Sequence, residues 1–203
     1  MKKLLSSALL IPVVLGGLSD LNAQGTTEFQ SASVVLSNES KLTINGQSNV
    51  NDFSCVSEHD LENDSLSYQY NFMGTDVELQ GNPLTLKVDN FNCGKRGINR
   101  DFKKTLKHEE YPEIRINVKQ LNGRESLDSL PTMARVDIEL AGVTKEFDID
   151  LSEVSLYEDK TQVKGKKTLR MSEFNLNPPS PLFGLIKIKD EMVIDFNLII
   201  VGQ

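Results

Sequence analysis

"FKKTLKHEEYPEIRINV" (Phe102–Val118) opens with helical spacing and closes with strand spacing, and the seam is Tyr111-Pro112. Phe102 and Leu106 lie four residues apart, on one face of a helix whose other faces carry Lys103, Lys104 and Lys107. Asn99 suits the helix N-cap, because its side-chain oxygen can satisfy an amide that the first turn leaves open. Pro112 pushes Tyr111 out of helical geometry, so the helix is expected to end there. Ile114, Ile116 and Val118 then alternate with Arg115 and Asn117, which is the period of a strand with one dry face. A helix this short is unstable alone, so Phe102 and Leu106 must be buried against something apolar. The stretch is a helix-to-strand crossover.

Working outward, almost every other periodic segment is β. Upstream, Leu42 and Ile44 alternate, Asn45-Gly46 is the expected hairpin turn, and a second extended piece runs through Phe53 and Cys55. Tyr68, Tyr70 and Phe72 share one face against Ser67, Gln69 and Asn71, and Leu84, Leu86 and Val88 share another. Downstream, Val136, Ile138 and Leu140 alternate up to a turn at Ala141-Gly142, and Phe147, Ile149 and Leu151 continue beyond it. Val163, Leu169 and Met171 mark a further strand, and Ile194, Phe196, Leu198 and Ile200 close the chain. Between them lies the proline-rich "NLNPPSPLFG" (175–184), either a lid or a rigid turn set by its prolines. The fold class is therefore all-β with one short helix, and about eight strands with one dry face each describe a sandwich or a closed antiparallel barrel. A barrel uses that pattern without leaving open edges.

The chain has 203 residues, which suits one domain with a sizeable core. Lys2 and Lys3, the apolar run Leu4–Leu18 and the small-residue end "LNAQG" have the order of a secretory signal peptide. Residues 1–23 are expected to be removed, leaving 24–203 as one exported domain with no stable membrane insertion. The apolar run is too short for a membrane span and contains Pro12. Cleavage takes away two lysines and one aspartate and moves the formal charge from −7 to −8, which argues against a nucleic-acid partner. One basic cluster remains, Lys95, Arg96, Arg100, Lys103, Lys104 and Lys107. Most of it suits a solvated helix face, and a subset suits an anionic head group.

Cys55 and Cys93 are the two cysteines, and an even count in an exported chain points to a disulfide. Metal ligation is the rival, but the spacing holds no Cys-x-x-Cys and the histidines are only His59 and His108. No hydrolase, zinc-protease or phosphate-loop signature is present, so an enzyme is not expected and no cofactor is implied.

Taken in order, "SKLTINGQSNVNDFSC", "DFKKTLKHEEYPEIRINV", "ELAGVTKEFDIDL" and "MSEFNLNPP…LFGLIKIKDEMVIDFNLII" resemble the YceI-like family. Phe174-Asn175 departs from the Phe-Gly of many members, and the cysteine pair resembles a subset of them. The resemblance implies a lipocalin-like antiparallel barrel, the periplasm, and a long apolar ligand along the barrel axis: an isoprenoid lipid or a quinone. It implies a ligand wall drawn from Tyr68, Tyr70, Phe72, Ile116, Val118, Ile138, Leu140, Phe196 and Leu198. For each of these, ordinary core packing is the competing role. A filled barrel acting as a periplasmic interaction or stress-response protein is the alternative function, and a homodimer is compatible with either.

Overall fold

In the computed structural model, residues 29–57, 65–157 and 159–202 are described. The expected signal peptide and His59 lie outside them. In chain order come β1 (Gln30–Leu36), β2 (Lys41–Ser48), β3 (Asp52–Ser57), β4 (Ser65–Met73), β5 (Asp76–Gly81), β6 (Leu84–Lys87) and β7 (Phe91–Asn92). Helix α1 (Arg96–Thr105) follows, then β8 (Glu113–Asn122), β9 (Met133–Leu140), β10 (Val143–Leu156), β11 (Lys160–Arg170) and β12 (Ile188–Gly202).

All pairings are antiparallel. β1, β4, β5, β8, β9, β10, β11 and β12 are neighbours in that order, and the pairing of β1 with β12 closes them into a ring of eight. The expected barrel is therefore present, with one elaboration. The long strand β12 carries two partners along one edge: Leu36 of β1 faces Ile200, and Lys41 of β2 faces Asn197. β1 and β2 are thus one run along β12, broken at 37–40. Buried Ser40 bridges the break by accepting the Ile199 amide (2.9 Å) and donating to the Ile199 carbonyl (3.2 Å). Its hydroxyl stands in for backbone groups that the break removes from the ladder. Across the barrel β8 is shared in the same way, by β5 near Leu121 and by β6 near Ile116.

The wall therefore forks. At one end β1, β4 and β5 complete it; at the other the arm β2–β3–β7 and strand β6 do so, with α1 following β7. The Cys55–Cys93 disulfide ties β3 to the chain leaving β7, and both cysteines are buried. This second end is sealed. Leu86, Val88, Phe91, Leu106, Phe174 and Leu176 join one core cluster there. Phe174 is fully buried on a short 3-10 turn, Met171–Phe174, which replaces the strand expected at Met171. Asp190 accepts from the Ser172 amide at 2.9 Å and from its hydroxyl at 2.6 Å, and these bonds hold the Asp190 carboxyl below the usual carboxylate range.

Three local expectations are corrected. Asn45-Gly46 is not the hairpin turn: Gly46 pairs with Phe53 inside the β2–β3 ladder, and the chain reverses at Ser48–Asn51. Gly46 is needed because a Cβ there would collide with the Phe53 ring. Asn99 is not the N-cap, which is Lys95. Asn99 sits in the first turn of α1, and its Oδ1 accepts the Cys93 amide at 2.6 Å. Pro112 does not end the helix either. Lys107 adopts left-handed geometry (φ 53°), and the Lys107 and His108 amides fold back onto the Lys104 and Lys103 carbonyls. Pro112 instead immediately precedes β8, and its carbonyl accepts the Val88 amide. Leu106 is buried as expected; Phe102 is half-buried, its ring 5.4 Å from that of Phe91. The turn at Ala141-Gly142 stands as expected, with both residues at positive φ.

Candidate ligand-binding site

The other end of the barrel lies opposite the seal and gathers the β4–β5, β8–β9 and β10–β11 turns. Along β4 the inward residues open gradually. Leu66 is 7% exposed, Tyr68 and Tyr70 are half-buried, and Phe72 is 47% exposed. The Tyr70 hydroxyl donates to Gln30 Oε1 at 2.6 Å, which satisfies its polar tip beside the mouth. Burial pushes the Tyr68 phenol above its ordinary value, so it stays protonated and neutral. Arg124 from the β8–β9 loop lies 5.7 Å over the Phe72 ring and closes that loop onto the β4–β5 turn. Met73, Leu127, Leu130, Leu156 and Tyr157 are exposed around the same rim.

Deeper in, the two walls face each other. Ile116 pairs with Ile138 and Val118 with Val136 on β8 and β9, and these strands stand opposite β12, which carries Phe196 and Leu198. Ile138 and Leu140 are buried, whereas Ile116, Val118, Phe196, Leu198 and Tyr68 pack partly buried against the core. Seven of the nine sequence-derived candidates join or pack against the core, and Tyr70 and Phe72 lie outside it, toward the rim. They range from sealed core (Ile138, Leu140) to open rim (Phe72).

The inner wall has a recurring construction. Three aromatic rings face a glycine directly across the ladder: Phe53 on Gly46, Tyr68 on Gly81, and Phe196 on Gly165. At each glycine a Cβ would collide with the ring. The rings therefore lie against the neighbouring strand, in the space a glycine Cβ would take. Glycine in a strand marks close approach of this kind. Leu127 and Leu130 escaped sequence reasoning because single apolar residues in a polar loop have no period, and Leu156 and Tyr157 because they lie at and just past the end of β10, beyond its alternating stretch. The glycine–aromatic pairs escaped because their partners are up to 31 residues apart.

His108 belongs to a surface cluster instead. Its Nε2 is 3.7 Å from Asp89, whose carboxylate is held low chiefly by Lys103 at 2.6 Å. Among the described residues no three His, Cys, Asp or Glu side chains gather as a metal site, and no helix is long and apolar enough to cross a membrane.

The YceI-like domain family matches residues 49–200. No curated protein matches the chain. Among solved structures, the Burkholderia cenocepacia BcnA protein is similar with a TM-score of 0.56 at 15% identity, covering 79% of this chain and 95% of its own. A domain from Saccharophagus degradans, described as polyisoprenoid-binding and implicated in plant cell wall breakdown, reaches a TM-score of 0.56 at 13% identity. That match covers 86% of this chain and all of the other. At these identities the likeness is one of fold.

Proposed function

The chain belongs to the YceI-like family, and on that premise we propose that it is an exported lipid-binding protein holding a long apolar ligand of isoprenoid type inside the barrel. It acts as a carrier or scavenger and not as an enzyme. The supporting observation is the ring-on-glycine construction at Gly81 and Gly165, which seats Tyr68 and Phe196 flat on the neighbouring strand and favours room along the barrel axis. An apolar chain there is hidden from water at about 25 cal/mol for each Å² removed. The exposed rim of Phe72, Met73, Leu127 and Leu156 gives such a chain an apolar way in. The disulfide suits an oxidising compartment, which favours the periplasm. The polyisoprenoid-binding description of the Saccharophagus degradans domain supports the ligand class, with a quinone as its nearest variant.

Organic extraction of the purified protein followed by mass spectrometry tests the proposal, with an isoprenoid lipid as the expected finding. Ile116→Trp and Ile138→Trp should each reduce the recovered lipid while the fold survives. Protein that carries no lipid, takes none from an isoprenoid mixture and loses about 1–3 kcal/mol on either substitution has a filled barrel. The interaction-protein alternative would then replace the carrier.

A further inference from the structure

At the sealed end, the loop after the 3-10 turn exposes apolar side chains instead of hiding them. Phe183 is fully exposed, and Leu182 and Leu185 are 63% and 73% exposed. Val50, in the neighbouring β2–β3 turn, is exposed beside them. The loop is not slack. Asn49 clasps it: its side chain donates to the Leu185 carbonyl and accepts from the Lys187 amide, and its own amide donates to the Lys187 carbonyl. Within the loop, the Gly184 and Ile186 amides return to Pro181 and the Leu185 amide to Leu182. Leu182 and Phe183 both sit at positive φ, 53° and 56°, a conformation that costs a bulky residue free energy. A strained, well-bonded loop that points Leu and Phe at water is built to meet an apolar surface.

The charge around it narrows what that surface is. The 175–181 segment and the end of α1 line one depression of about 390 Å³, with Lys104 and Lys107 on its helix side. Among the described residues neither lysine has a carboxylate within ion-pair distance, and Lys187 lacks one too. Asp101 lines the same depression and is paired with Arg100, while Asp190 and Glu173 keep their charge, bonded to the neutral Ser172 hydroxyl and Arg170 amide. Glu109 and Glu110 line a second groove along the helix together with Lys103, Lys104, Lys107, Arg96 and Arg100, where the cations outnumber them. Lys104, Lys107 and Lys187 are thus cations without an ion-pair partner on the segments that flank the loop of Phe183, the most exposed aromatic ring among the described residues. Exposed apolar side chains with lysines on the flanking segments match the interface of an anionic bilayer, where the ring enters the acyl boundary and the lysines meet phosphate.

We propose that the sealed end docks on an anionic phospholipid surface through Leu182, Phe183 and Leu185, with Lys104, Lys107 and Lys187 as its electrostatic contacts. The open, apolar-rimmed end then faces away from the bilayer, so the protein is tethered with its mouth free. The inference adds a partner to the lipid-binding proposal and does not require the barrel to be loaded.

Sedimentation with vesicles of phosphatidylcholine alone, or with phosphatidylglycerol added and no isoprenoid in either, tests it. The protein should bind the anionic vesicles preferentially and release with rising salt. Leu182→Ser with Phe183→Ser should weaken binding at least about tenfold. Lys104→Glu with Lys107→Glu should abolish the preference for phosphatidylglycerol. Leu156→Ser with Tyr157→Ser, at the open end, should leave binding unchanged. Extractable lipid, measured on the same samples, should be equal in the tip pair and the parent, which separates docking from cargo. Absence of binding to either vesicle would overturn the proposal, as would loss of binding in the open-end pair instead. A tip pair that converts a dimer to a monomer, in a protein no vesicle retains, would assign the loop to self-association and overturn it equally.

Discussion

Gly165 shows how much one side chain's absence decides. It pairs with Phe196, and the ring occupies the place a Cβ would take, with the Asp150 carbonyl also close by. The backbone there is not left-handed, so alanine is excluded by space and not by conformation. Gly165→Ala should therefore lift the Phe196 ring off β11 and into the lumen. The expected outcome is a folded protein with reduced lipid recovery and a stability loss of about 1–3 kcal/mol from overpacking. Mass spectrometry of the extract and urea unfolding check it together. Undiminished lipid with unchanged stability would mean that the ring's seat has no bearing on the cavity.

Helix α1 illustrates what an element contributes beyond its own residues. Four of its ten residues are exposed, six are half-buried and none is buried. It is held by what borders it: the Asn99 bond to the Cys93 amide, the Phe102 ring against Phe91, and Leu106 just past the last turn. Leu106 is the deepest of these contacts at 5% exposure. Leu106→Ala should cost roughly 2–4 kcal/mol, as for other buried leucines. Denaturant unfolding measures it, and a loss below about 0.5 kcal/mol would place this corner in solvent.

Across the whole molecule the wall closes as a ring at the open end and as a forked arm at the sealed one. The arm's last strand, β7, is two residues long and pairs only with β3 in the ladder. The Cys55–Cys93 link holds that weak margin and fixes where α1 begins. Closing 38 residues of chain is worth about 4 kcal/mol in a chain-entropy account. Reduction should lower the urea midpoint accordingly, with the sealed end opening first by hydrogen exchange. Alkylation before reduction should label neither cysteine; an unchanged midpoint after reduction would show that the arm holds without the bond.

Strand after strand was legible in the residues themselves, because period-two alternation is a local signal carried by neighbours. Tyr68 and Tyr70, Ile138 and Leu140, and Phe196 and Leu198 each declare an inward face within one strand. The helix and the Ala141-Gly142 turn were legible for the same reason, and the cysteine pair from an even count in a chain expected to be exported. Gly46 was not: an Asn-Gly dipeptide looks like a turn until Phe53 is seen lying over it. Nor was the helix end, where Lys107 acts several residues before the proline that seemed decisive. The break bridged by Ser40, the forked edges of β8 and β12, and the difference between a sealed and an open end all depend on residues brought together from distant parts of the chain. Alternation says which way a side chain faces; only the closed sheet decides what it finds there.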